Sequence, residues 1–243
     1  MKRFWKEVSV EREDGGWGIR LDSRPVKTPA RAALVVPTEA LADAIADEWR
    51  SVEETIDPRA MPLTGLANAA IDRVAPERQA FADGLASYAE ADLACYRAEG
   101  PRGLTDRQEE SWDRLLAWAR RRYDVDFATT SGLTHVAQPP VTVERLAHAV
   151  AALDAFHLAG LSPLVTIGGS LVAALAVLEK ALTPEQAWEA VSVDDRWQLE
   201  RWGSDAEAET ALENKRRDFF AAARFLELLN AQLLPTTPDQ VRG

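Results

Sequence analysis

Over the first 36 residues, apolar side chains fall at alternate positions. Trp5, Val8 and Val10 lead into a Glu-Asp-Gly-Gly turn at 13–16, after which Trp17, Ile19 and Leu21 alternate with Gly18 and Arg20. A period of two on both sides of a glycine turn predicts a β-hairpin. Asp22-Ser23-Arg24-Pro25 predicts a second turn and Leu34-Val35-Val36 a third short strand, so a small antiparallel sheet is expected. From Pro37 the apolar period lengthens to 3.6. Thr38 is placed to cap a helix whose Leu41, Ile45, Trp49 and Val52 form one stripe for docking on the sheet.

Beyond Pro58 and Pro62 nearly everything reads as helix. The pattern predicts helices over 63–74 and 77–97 with a boundary at Pro76, a loop at 100–103, and further helices over 105–122, 142–159, 163–180, 184–191 and 205–233. Thr105 precedes Gln108 in the spacing of a capping box, and Thr183-Pro184 places a cap and a first-turn proline before Glu185. The fold class is therefore α+β: a β-rich N-terminal unit with its docking helix over 1–60, a helical unit over 61–234, and a flexible tail over 235–243. Residues 156–178 carry no formal charge apart from what His157 acquires, a length that fits a membrane span. Gly160, Pro163 and Gly168-Gly169 divide the stretch, and no basic cluster or aromatic belt flanks it, so a central helix buried on all sides is expected, with Gly168, Gly169 and Ser170 admitting a close neighbour.

Composition sharpens this picture mainly through charge. With 39 acidic against 28 basic residues the formal charge is −11, so a polyanion is repelled over most of the surface and nucleic acid is a poor partner. A hydrophobic fraction of 47% excludes a disordered chain. The single cysteine, Cys95, allows neither an internal disulfide nor a thiolate metal cage, which fits a reducing compartment. Met1-Lys2-Arg3 is followed by Phe4-Trp5-Lys6 and not by an apolar signal-like run, so a bacterial cytoplasm is expected, and a mitochondrial matrix for eukaryotic relatives.

The search for chemistry yields little. His135, His148 and His157 lack the spacing of paired metal ligands, and Cys95 has no neighbour in sequence that would activate it. Ile167-Gly168-Gly169-Ser170 lacks the lysine of a phosphate loop, and no nucleophile elbow or zinc-helix motif is present. No catalytic, cofactor or metal residue is assigned. The unusual stretch lies between 194 and 213, where Asp194, Asp195, Glu200, Asp205, Glu207, Glu209 and Glu213 face only Arg196, Arg201 and the tryptophans at 197 and 202. On a helix Asp195, Gln198 and Trp202 share a face. The plainer account is a solvated helix start with both tryptophans filling the core; the functional one is a recognition patch, aromatic anchors ringed by acids.

Four stretches in order resemble the ATP synthase assembly chaperone family whose members bind the alpha subunit of the catalytic sector. They are Arg24-Pro25-Val26-Lys27-Thr28-Pro29; Ile45-Ala46-Asp47-Glu48-Trp49 with Ile56-Asp57-Pro58-Arg59-Ala60-Met61-Pro62-Leu63-Thr64; Tyr88 with Asp92-Leu93-Ala94-Cys95-Tyr96-Arg97; and Gln198 with Trp202-Gly203 and Asp205-Ala206-Glu207-Ala208. The resemblance covers about 4–230 and implies a β-rich N-terminal domain before a helical one, and a non-enzymatic activity. A member would hold the free alpha subunit, mask its subunit interface and release it to beta. It implies partner-binding roles for Asp194 or Asp195, Gln198, Trp202, Gly203, Asp205 and Glu207. Arg24, Lys27, Trp49 and Met61-Pro62 are read as structural, the last pair as an interdomain hinge. A monomer without cofactor or membrane insertion is expected. The alternative is a carboxylate enzyme built on Asp195 and Asp205, with a divalent ion.

Overall fold

The computed structural model describes residues 2–132, 134–203 and 206–231. The predicted hairpin is present: β1 (Val8–Glu13) pairs antiparallel with β2 (Gly16–Leu21), Val8 opposite Leu21 and Glu13 opposite Gly16. β3 (Arg24–Pro25) extends one end of β2 and β4 (Val35–Val36) pairs with the other, Trp17 opposite Val36. The alternation holds, since Ile19, Leu21 and Val36 are buried. Glycine is required at position 16, where φ is +157° and a Cβ would lie 2.2 Å from the Val36 carbonyl oxygen.

α1 (Glu39–Arg50) starts as its cap predicts, the Thr38 hydroxyl accepting from the Leu41 N–H at 3.2 Å. The same hydroxyl donates to the Leu228 carbonyl at 2.9 Å, tying α1 to the far end of the chain. Leu41, Ile45 and Trp49 are buried, and a single apolar core runs from the sheet through α1 into the helical region.

The helical region departs from the sequence pattern at four places. α2 (Pro62–Ala69) continues through a π turn and a short 3-10 turn into α3 (Arg78–Ala86), but the helix expected to reach residue 97 stops near 91. Asp92 stands there in extended conformation, and after a 3-10 turn the chain becomes β5 (Tyr96–Arg97), parallel to β6 (Thr130–Ser131). α4 (Arg102–Tyr123) begins inside the expected loop, three residues before the proposed cap. Thr105 instead donates to the Arg102 carbonyl at 2.9 Å, and Gln108 is buried and committed elsewhere.

The span 142–180 is three helices, α5 (Pro140–Ala151), α6 (Ala155–Gly168) and α7 (Leu171–Leu178). Asp154 caps α6 by accepting from the His157 N–H at 2.9 Å. Gly169, at φ +64°, closes α6, and Ser170 caps α7. Gly169 and Ser170 therefore stop and restart the chain. Gly168 admits a neighbour, since a Cβ there would meet Val191 at 3.1 Å, and one at Gly160 would lie 2.7 Å from Leu226. All of 171–177 is buried, and among the described residues no helix is long and apolar enough to cross a membrane.

α8 (Pro184–Val191) starts at the predicted cap, Thr183 accepting from Gln186 N–H, and Gln186 closes a capping box by accepting from Thr183 N–H. α9 (Val193–Trp202) and α10 (Ala206–Leu229) are the last helices among the described residues. The tail at 235–243 lies outside the described residues.

A candidate docking groove between α9 and α10

α9 has two working sides, set by helix phase. Toward α4, Asp194 Oδ1 accepts from Gln108 Nε2 at 2.7 Å, while Gln108 Oε1 accepts from the Ala98 N–H at 2.8 Å. Trp197 lies over Gly103, where a Cβ would be 2.9 Å from the ring. Arg107 sits 4.9 Å above the Trp197 ring and pairs with Glu200 at 2.7 Å. Asp194, Trp197 and Glu200 thus fasten α9 to α4.

Asp195 is the next residue, and one step turns a helix by roughly 100°. It faces α10 together with Gln198, Leu199 and Trp202, the side chains at steps of three and four from it. Between these and Ala208, Leu212 and Lys215 of α10 lies an open groove of about 360 Å³. Lys215 Nζ stands 3.5 Å from Asp195 Oδ2, both side chains about half exposed. Trp202 is 77% exposed. The expectation that both tryptophans fill the core is corrected: five residues separate them, roughly 140° of rotation, so packing Trp197 on α4 turns Trp202 outward.

Gly203 ends α9 at φ +83° and ψ 163°. The first turns of α10, residues 206–218, are exposed throughout except at Leu212. Glu207 and Glu209 stand in the first turn, where the positive end of the helix dipole favours them. Of the predicted site residues, Asp195, Gln198, Trp202 and Gly203 line the groove, Glu207 stands in the first turn of α10, and Asp194 points the other way. Asp205 lies outside the described residues. Lys215 was not foreseen; it is 20 positions beyond Asp195, and only the hairpin brings them together.

The remaining stretches of the family pattern are joints between segments. The Glu48 carboxylate of α1 accepts from the N–H groups of Leu63 and Thr64 at 2.7 and 2.8 Å and from the Thr64 hydroxyl at 2.6 Å, capping α2. Asp72 accepts from the Thr28 hydroxyl at 2.7 Å and the Ala30 N–H at 2.9 Å. Asp92, fully buried, accepts from the N–H groups of Ala94 and Val172, both at 3.0 Å. Burial pushes its carboxyl above the usual range, against the pull of those N–H donors. Arg97 spans the Gln108 carbonyl and Asp113, over the Trp112 ring. Trp49 is core, as expected, and Met61 is buried ahead of α2, whereas Arg24 and Lys27 are exposed.

Reactive groups are sparse. Burial, with the Asp92 charge adding to it, pushes the Cys95 thiol up to about 12, so it remains protonated at neutral pH. Among the described residues no cluster of His, Cys, Asp or Glu could hold a metal ion.

A hairpin sheet clasped by a helical body is an architecture shared with solved chaperones. Atp12 from Paracoccus denitrificans matches with a TM-score of 0.90 at 43% identity, covering 94% of this chain and 98% of that one. A mutant of P. denitrificans Atp12p matches at 0.89 and 42%, covering 94% and 97%. The family model for the ATP12 chaperone protein matches residues 2–120, and the mitochondrial protein atp12 of Schizosaccharomyces pombe is 27% identical over 216 residues, 84% of this chain and 74% of the relative. The class is thus a chaperone. The chain belongs to the ATP12 chaperone family, the assembly chaperones of ATP synthase.

Proposed function

We propose that this chaperone captures the unassembled alpha subunit of the ATP synthase catalytic sector, covers its subunit interface, and releases it to the beta subunit without covalent chemistry. The observation that carries the reading is Trp202, 77% exposed in a groove that also holds the Asp195 carboxylate. An indole left in water is an anchor waiting for a pocket, since most of its apolar area is buried only when a partner covers it. Acids around such an anchor raise the encounter rate with a basic surface and select it, while adding modestly to affinity. That balance suits a holder that must let go.

Asp195, Gln198, Trp202, Gly203, Asp205 and Glu207 form the client face in this reading. Asp194 supports it from behind by holding α9 on α4. The protein acts as a monomer in the bacterial cytoplasm. The test is gel filtration of the purified chain with unassembled alpha subunit, followed by addition of beta. Co-elution that beta dissolves is expected, with Trp202→Ala weakening capture about tenfold at unchanged melting temperature. Failure to bind alpha at micromolar concentration would remove the reading.

A further inference from the structure

We infer that the α9–α10 groove receives an arginine carried on an apolar segment of the client, and that Lys215 is its resident competitor for Asp195. The inference rests on the groove being the client face. Asp195 is the one carboxylate and Lys215 the one cation among the described residues lining the groove; the other lining groups are Gln198, Gly203 and apolar side chains. The groove is therefore neutral only while those two face each other.

Their pair is poorly made. The N···O distance of 3.5 Å exceeds that of a good charge-assisted hydrogen bond, and the side chains are 51% and 47% exposed, so solvent screens them. A guanidinium offers what the ammonium does not. Its planar fork can meet both oxygens of Asp195, its face can stack on an indole, and its aliphatic stem suits the apolar walls of Leu199, Ala208 and Leu212. Trp202 stands on the same face of α9 as Asp195, two turns away, and is exposed enough to accept such stacking. An arriving arginine thus displaces a weak internal contact and gains a stronger one. The internal pair in turn keeps the empty groove from holding any passing cation, which favours release once the client leaves.

The test measures capture of unassembled alpha subunit by five folded variants. Lys215→Met should tighten binding ~3-fold, and the gain should vanish in the Asp195→Asn background, because the lysine competes only for that carboxylate. Arg217→Met removes the same charge elsewhere on α10, where Arg217 pairs with Asp218, and should change binding less than ~2-fold. Equal gains from Lys215→Met and Arg217→Met would mean a general field effect and overturn the inference. So would unchanged or weaker binding by Lys215→Met while Trp202→Ala still loses capture, an outcome that leaves the groove as client face intact. Wild-type capture by both Trp202→Ala and Asp195→Asn removes the groove reading, and this inference with it.

Discussion

The acids that join α1, α2, α3 and α7 and the acids of α9 and α10 have different partners. Glu48, Asp72 and Asp92 each accept from backbone N–H groups of a segment distant in sequence. Asp195 and Glu213 are instead paired with side chains, Lys215 and Arg216, at half-exposed or exposed positions. A backbone donor inside the fold has no other acceptor, so losing its carboxylate leaves it stranded. A surface cation has water, and losing its partner costs little. One set of carboxylates therefore holds the fold, and the other is free to meet something else. Charge alone does not distinguish the two sets, but the donor does.

The sharpest way to break that distinction is at Asp92. Asp92→Ala strands the N–H groups of Ala94 and Val172 in the core and should cost about 3 kcal/mol, read from urea unfolding. Asp92→Asn keeps one acceptor oxygen and should cost less. A loss below about 1 kcal/mol for the alanine variant would show that the buried carboxylate is dispensable. Glu48→Ala comes next, at about 2 kcal/mol, since three donors of α2 lose their acceptor at a partly exposed site.

Asp154 sits between the two sets and sharpens the contrast through pH. It caps α6 and also meets His157 Nδ1 at 2.8 Å, while His157 Nε2 lies 3.4 Å from Asn230 Oδ1. The Asp154 contact raises the histidine above its usual 6.5, against desolvation. Because the folded value is the higher one, this stabilisation is complete below the unfolded pKa and disappears as pH rises through the folded one. With 60% of the Asp154 side chain exposed, solvent holds the effect under about 1 kcal/mol. Urea midpoints of wild type and His157→Gln should differ at about pH 5.5 and converge near about pH 8.5. A difference that grows with pH has the wrong sign for this pair.

Where a residue's role is local, the sequence pattern reveals it. Thr38 and Thr183 cap helices because a cap and the N–H that donates to it lie three residues apart, and the hairpin follows from alternation on both sides of a glycine turn. The break at Gly169-Ser170 is marked only by its glycines, because 156–178 is apolar on every side and no stripe shifts phase there, while the break at Asp154 falls inside the helix expected over 142–159. Thr105 and Gln108 have the letters of a capping box, but Gln108 is held by Ala98 and Asp194, contacts made across the fold. The shared face of Asp195, Gln198 and Trp202 is legible from helical spacing. Which of Asp194 and Asp195 faces outward is not, because that depends on the side of α9 that α4 covers, and Lys215 enters only through the hairpin.

The smallest expected change in stability belongs to the proposed client face. Asp195→Lys with Glu207→Lys reverses two exposed charges on separate helices. The first also removes the 3.5 Å contact with Lys215 and sets two cations near each other. Exposed side chains can turn apart into solvent, so the unfolding free energy should move by no more than about 0.5 kcal/mol. If the proposed function holds, capture of alpha subunit should nevertheless be lost, because reversed charges would repel a basic client surface. The two readouts separate the sets of carboxylates in one molecule. A folded double variant that still captures alpha would place recognition elsewhere on the surface. One that unfolds would show that these acids, despite their exposure, belong with Glu48 and Asp92.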